Sequence, residues 1–167
     1  MKKIIDRRSI QYHTNRIAKA INEKHPVDGR GVVFICLLNG GFMFFSDLVK
    51  NITFKLECDF VRLKSYEGKN QGKVQLLKDI ESNIENKHIY LIDDFLDTGE
   101  SMKFAISHFQ EKKPSSISIA TLLVRESSPE FDIPTYDGLM LHDEWVVGYG
   151  LNGEGGYSRN LMDIYEI

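Results

Sequence analysis

Four acidic residues fall in the eleven-residue stretch LIDDFLDTGES, Leu91 to Ser101, and their spacing is the clearest opening for chemistry in the chain. The section Asp97-Thr98-Gly99-Glu100-Ser101 offers a glycine for close backbone approach and two hydroxyls. If a helix starts there, it also offers N–H groups that have no partner inside the helix. Backbone donors of this kind hold a phosphate without any lysine. Asp93 and Asp94 follow an apolar run and precede that turn, so they stand to one side of the phosphate by the length of a sugar ring. Carboxylates bond vicinal hydroxyls and attract Mg²⁺, so the pair suits a ribose whose other end carries a metal-bound pyrophosphate. Asp97 lies between the two, where a base attached to the sugar would come within reach. Taken singly, each residue is equally an N-cap or an ordinary turn residue. The combination, placed directly after a buried strand, is what points to a site.

The surrounding pattern supplies the elements that must position these groups. GVVFICLL, 31–38, is apolar at every position, as a strand buried on both faces must be, and NGG then leads into the helical run FMFFSDLVK. LECDFVRLKSY reads as a strand, EGKNQGK as a mobile surface loop, and VQLLK as a further strand. HIYLI, 88–92, is a second buried strand, SMKFAISHFQ a helix ending before Pro114, and SISIATLLV a third buried strand. Upstream, Ser9 is placed to cap a helix with Ile10, Ile17 and Ile21 on one face. The tail, DIPTYDGLML and EWVVGYGL, is made of short β-rich pieces broken by Pro and Gly. Alternation of strands and helices predicts an α/β fold with a mostly parallel twisted sheet flanked by helices, in which ligands sit beyond the carboxyl ends of the strands.

At 167 residues and 42% hydrophobic, the chain is expected to form a single domain, 1–167. A net charge of -3 with scattered Lys and Arg gives no footprint for a nucleic-acid backbone, so no nucleic-acid partner is expected. No apolar run approaches the ~20 residues that span a bilayer, and the start has no cleavage-site pattern, so the expectation is a soluble cytoplasmic protein without a membrane partner. Cys36 and Cys58 read as buried thiols, and His13, His25, His88, His108 and His142 form no shared cluster. Tyr149 and Tyr157 read as packing residues. Trp145, the only Trp, reads either as a platform for a planar base or as core beside Val146 and Val147.

LIDDFLDTGES, taken with CLLNGGFMFFSDL, VRLKSY, TLLVRES and HDEWVVGYGL in that order, resembles the type I phosphoribosyltransferases, and among them the hypoxanthine-guanine enzymes. The resemblance implies a small hood built from the chain's ends, a homodimer or homotetramer, Mg²⁺, and three ligand classes: a purine base, phosphoribosyl pyrophosphate and a purine nucleoside monophosphate. It implies roles position by position. Asp97 accepts the proton from the purine N7. Asp97, Thr98, Gly99, Glu100 and Ser101 form the 5'-phosphate cradle. Asp93 and Asp94 serve the ribose and metal, and Asn152 stands where relatives have a second metal-binding carboxylate. Arg125, Trp145 and Val146 contact the purine, while Leu38, Asn39, Gly40, Ser65, Tyr66 and Arg159 serve the pyrophosphate. Four departures stand out: Asn39 and Arg125 each replace a Lys, Asn152 replaces an Asp, and GEGGYSR is one residue longer than in relatives before Arg159. The three substitutions motivate a rival expectation, a non-catalytic sensor of phosphoribosyl pyrophosphate or nucleotide on the same fold.

Overall fold

The computed structural model describes residues 1–25, 30–65 and 73–167. Its main sheet has six strands in the order β4-β3-β2-β5-β6-β7, with β2 Val32–Leu38, β3 Glu57–Ser65, β4 Val74–Lys78, β5 His88–Leu96, β6 Ser116–Arg125 and β7 Thr135–Leu141. Every pairing is parallel except that of β3 with the edge strand β4. The carboxyl ends at Leu38, Ser65, Leu96 and Arg125 therefore share one rim of the sheet.

Side-chain alternation along the buried strands sets the layers. On one face Phe34, Cys36, Tyr90, Ile92 and Leu122 pack against helices α1, Arg7–Asn22, and α2, Phe42–Lys50. On the other face Val33, Ile35, Leu91 and Ile119 pack against Met102, Ala105 and Phe109 of α3, Glu100–Gln110. The expected α/β sheet flanked by helices is what the chain forms. A second, three-stranded antiparallel sheet, β1-β9-β8, joins the two ends of the chain: β1 Lys2–Ile5, β9 Ile164–Glu166 and β8 Val146–Val147. It constitutes the hood.

Several sequence expectations need correction. Helix α1 begins at Arg7, capped by Asp6, whose carboxylate accepts from the Ser9 N–H at 2.8 Å; Ser9 lies inside the helix as donor, not as cap. Cys36 is buried, but Cys58 is exposed because it falls on the outward side of a strand near the sheet edge. His25 and His88 do meet, with ring centroids 5.6 Å apart and His25 Nε2 2.7 Å from the Tyr90 hydroxyl. Tyr149 is buried as expected, whereas Tyr157 is exposed. The EGKNQGK loop, apart from Lys73, lies outside the described residues, as does Tyr66.

Candidate active site

The DDFLDTGES segment is organised by a strand that runs further than its apolar residues suggest. β5 continues through Asp93 and Asp94 to Leu96, because Asp93 pairs with Thr121 and Leu96 with Val124 of β6. The two acids therefore lie within the end of the strand, not after it; the ladder is made by the backbone, and polar side chains do not stop it. Gly99 then takes a left-handed conformation, φ 76°, at the N-cap of α3. An added Cβ there would meet Pro129 Cγ at 2.6 Å, so both backbone and space select glycine. The first-turn amides of α3 open onto a cavity of about 200 Å³, lined by Ser65, Asp93, Phe95, Asp97 and the Thr98–Met102 turn. Ser65 Oγ lies 3.1 Å from Ser101 Oγ, so the end of β3 closes one side of it.

Asp94 turns away from that cavity onto the loop after β2. A Cβ placed on Gly40 would fall 2.5 Å from both its carboxylate oxygens. Asp94 is 6% exposed, and its Oδ2 has no hydrogen-bond partner among the described residues. The Asp94 N–H donates to Asp93 Oδ1 at 3.0 Å, so the two carboxylates remain neighbours. Burial, followed by the adjacent carboxylate, pushes Asp93 well above the usual carboxylate range. Burial also raises Asp94, with the Asp93 hydrogen bond and the charge of Arg159 opposing it. No cluster of three or more His, Cys, Asp or Glu able to hold a metal occurs among the described residues. Mg²⁺, however, is commonly held by one or two carboxylates, with phosphate oxygens and water completing its shell. An unpartnered buried Asp94 oxygen beside a raised Asp93 fits that demand: the pair is incomplete without a proton or a cation.

The loop Leu38-Asn39-Gly40, whose Leu38–Asn39 peptide is cis, abuts the Gly148-Tyr149-Gly150 turn so closely that a Cβ on Gly150 would collide with the Gly40 carbonyl. Arg159 reaches the same place. Its Nη1 donates to the Gly150 carbonyl at 2.6 Å and its Nη2 to Asn152 Oδ1 at 2.9 Å. Asn152 is exposed, and the oxygen expected to face a metal instead accepts from a guanidinium. Leu38, Asn39, Gly40, Asp94 and Arg159 are thus brought together.

On the far side of the turn, Arg125 at the end of β6 donates from Nε to Asp97 Oδ1 at 2.9 Å and from Nη1 to the carbonyls of His142 at 2.8 Å and Glu144 at 3.1 Å. Its guanidinium lies 4.8 Å from the Phe95 ring centroid. Trp145 follows directly and is 77% exposed, which removes the core reading for this side chain. Val146 is buried in the hood, paired with Glu166. Sequence reasoning missed Phe95 and the His142–Glu144 carbonyls, which meet the Arg125 guanidinium. Neither carried a sequence signal: Phe95 reads as an ordinary apolar strand residue, and backbone carbonyls are invisible to residue type.

A model of the phosphoribosyl transferase domain matches residues 2–154. The chain belongs to this family. Among similar proteins, the hypoxanthine-guanine phosphoribosyltransferase of Staphylococcus aureus strain Mu50 is 39% identical over 150 residues, covering 87% of this chain and 83% of its own length. The hypoxanthine-guanine-xanthine phosphoribosyltransferase of Tritrichomonas foetus is 32% identical over 155 residues, covering 91% and 83%. A crystal structure of a hypoxanthine phosphoribosyltransferase from Staphylococcus aureus superposes with a TM-score of 0.90 at 34% identity, covering all of this chain and 91% of the other. For this phosphoribosyl transferase the comparison accounts for the layout of sheet and hood, and no helix among the described residues is long and apolar enough to cross a membrane.

Proposed function

We propose that this phosphoribosyl transferase is a purine-salvage enzyme that joins hypoxanthine or guanine to phosphoribosyl pyrophosphate, giving the nucleoside monophosphate and pyrophosphate, and that residues 1–167 work as one domain. The observation that carries the reading is the β5–α3 turn, where an anion-accepting helix start and three carboxylates stand on one rim with Arg125 and an exposed Trp145.

In this reading the amides of Thr98 to Ser101 hold the 5'-phosphate, aided by the positive end of α3. Asp93 and Asp94 take the ribose hydroxyls and would hold Mg²⁺, which when bound supplies positive charge to the pyrophosphate. Leu38 to Gly40, Ser65 and Arg159 hold the leaving pyrophosphate, whose charge grows as the bond from C1' breaks; fixed donors placed there lower the barrier. The purine lies on the Trp145 face, with its edge at the Val146 backbone. Arg125 Nη2, which has no hydrogen bond among the described residues, is the donor for the exocyclic oxygen at C6 of the base. Asp97 Oδ2, likewise unpartnered among those residues, takes the N7 proton. The cationic sugar must be shielded from water, and the Ser65–Ser101 contact closes one wall. A homodimer or homotetramer is part of the proposal through the family resemblance.

A spectrophotometric assay with hypoxanthine, guanine and xanthine, each with and without Mg²⁺, tests the reading. Nucleotide formed from hypoxanthine or guanine only when Mg²⁺ is present is the expected result. No product from any base with Mg²⁺ present overturns it.

A further inference from the structure

We propose that Arg125, beyond any contact with the base, is a positioning residue that sets two things at once: the direction of the Asp97 carboxylate and the seat of the His142–Val146 loop that carries Trp145. The proposal rests on the reading above in taking Asp97 as proton acceptor and Trp145 as base platform.

The geometry is specific to a guanidinium. The Arg125 side chain is 13% exposed, so its orientation is determined by protein contacts rather than by water. The ring of Phe95, two residues before Asp97 on the same chain, lies against the guanidinium and limits its tilt. Within that plane the donors diverge: Nε serves Asp97, and Nη1 serves the His142 and Glu144 carbonyls. Because the fork is rigid, the Asp97 carboxylate and the loop backbone are fixed relative to each other. With Oδ1 occupied by Nε, Oδ2 is the oxygen left to receive a proton. The other hydrogen bonds at His142 are an ion pair of its ring with Glu126, both well exposed, and a bond from its N–H to Glu144 Oε2 within the loop itself. Contacts between exposed charges hold a loop weakly. The other end of the loop is held to the hood, where the Trp145 carbonyl accepts from the Ile167 N–H at 3.0 Å and Val146 pairs with Glu166, so the two bonds from the mostly buried Arg125 are the main tie on the side that faces the phosphate turn. A lysine carries all its donors on one atom and cannot occupy both the Nε and the Nη1 positions.

Trp145 is the only tryptophan, so intrinsic fluorescence reports on this loop directly. The test measures Trp145 anisotropy in the ligand-free full chain, together with steady-state kinetics, for Arg125→Lys, Phe95→Leu and Asp97→Asn. In Arg125→Lys the anisotropy is expected to fall, the KM for purine to rise and kcat to drop, each kinetic term by about tenfold, as for loss of charge-assisted hydrogen bonds. The KM for phosphoribosyl pyrophosphate is expected to stay within about twofold, because its cradle is not touched. Phe95→Leu is expected to give the same pattern at smaller amplitude. Asp97→Asn is expected to lower kcat while leaving the anisotropy at the wild-type value, since the loop bonds survive. Wild-type anisotropy and purine KM in Arg125→Lys overturn the proposal, and so does an equal loss of anisotropy in Asp97→Asn. If the wild-type chain forms no nucleotide, the functional reading falls, while the anisotropy arm still decides whether Arg125 seats the loop.

Discussion

Gly40→Ala adds one methyl at a crowded point of the site, and its consequences follow from geometry. The new Cβ would lie 2.5 Å from Asp94 Oδ1 and Oδ2 and 2.7 Å from Cγ, inside the 3.0 Å that real Cβ atoms keep from other heavy atoms. About 0.5 Å or more of separation must be made up. The carboxylate cannot swing aside freely, because Asp94 is buried at the end of β5. Gly40 cannot retreat freely either, since its carbonyl is already against Gly150. Overpacking of this kind costs about 1–3 kcal/mol. For a chain of this length that corresponds to a fall in Tm of roughly 2–10 °C. A 1 Å error in positioning costs on the order of 10²-fold in rate, so half that displacement of the loop and of Asp94 is expected to reduce turnover roughly tenfold. The loss should appear with phosphoribosyl pyrophosphate, whose KM rises, and leave the purine KM nearly unchanged.

A double-mutant cycle isolates the cause. Asp94→Ala removes the atoms that the methyl strikes, so Gly40→Ala introduced into that background should lower Tm by much less than it does in the wild-type chain. Calorimetric scans of the four proteins give a coupling of about 1 kcal/mol or more if the contact is the reason. Equal losses in both backgrounds would show that the glycine is required for something other than room beside Asp94.

The remaining predictions concern separate parts of the molecule. Asp97→Asn keeps a carbonyl oxygen for Arg125 Nε but puts a donor where the proton should be received, so kcat should fall by about 10²-fold or more with little change in the KM for phosphoribosyl pyrophosphate; wild-type turnover would remove Asp97 from the reaction. Trp145→Ala should raise the KM for hypoxanthine by about tenfold, the scale of one lost base–aromatic stack, and should not alter Tm because the side chain is exposed. Asp59 is a stability prediction away from the site: burial raises its carboxyl, but N–H groups of Ser82, Phe60 and Glu81 outweigh that and hold it below the usual range. With the folded value depressed, the unfolded chain binds more protons, so this stabilisation is present above the ordinary aspartate range and is lost as pH falls through the folded value. Urea unfolding should show Asp59→Asn less stable by about 1–3 kcal/mol at pH 7, with the gap to wild type narrowing toward pH 3.

The central strands were legible in the sequence because burial on both faces leaves an unbroken apolar run, as in Val32–Leu38, and helix α2 because Phe44, Phe45 and Leu48 recur at helical spacing. Strands β1 and β9 were not, since four and three residues are too short for a period to show and their pairing joins opposite ends of the chain. Asp6 was passed over as a cap because Ser9, three residues on, is as good a capping residue by type; which of the two begins the helix depends on where the chain leaves β1. The end of β5 was misplaced for a physical reason. Hydropathy stops at Ile92, whereas the hydrogen-bond ladder continues for four more residues under two carboxylates.

At the site, the order of functional segments along the chain could be read, but the partner of each side chain could not. Arg125 meets Asp97 across 28 positions, and Arg159 takes the Asn152 oxygen that the family resemblance assigns to a metal. These contacts also show how a turn proposed to hold a phosphate could tolerate four acids. Each flank is answered from a different part of the chain: Asp97 by Arg125 at the end of β6, and Asp94 by the charge of Arg159. Asp93 has no such cation among the described residues, and burial and its neighbouring carboxylate raise it well above the usual carboxylate range. Glu100 pairs with Lys103 one turn along α3. In the proposed reading, an anion at the amides of α3 would meet carboxylates that are paired with a cation or available to take one. If Arg125 and Arg159 were both replaced by neutral residues, the same backbone would present uncompensated carboxylates, and affinity for phosphoribosyl pyrophosphate would fall although no group placed at the 5'-phosphate had changed.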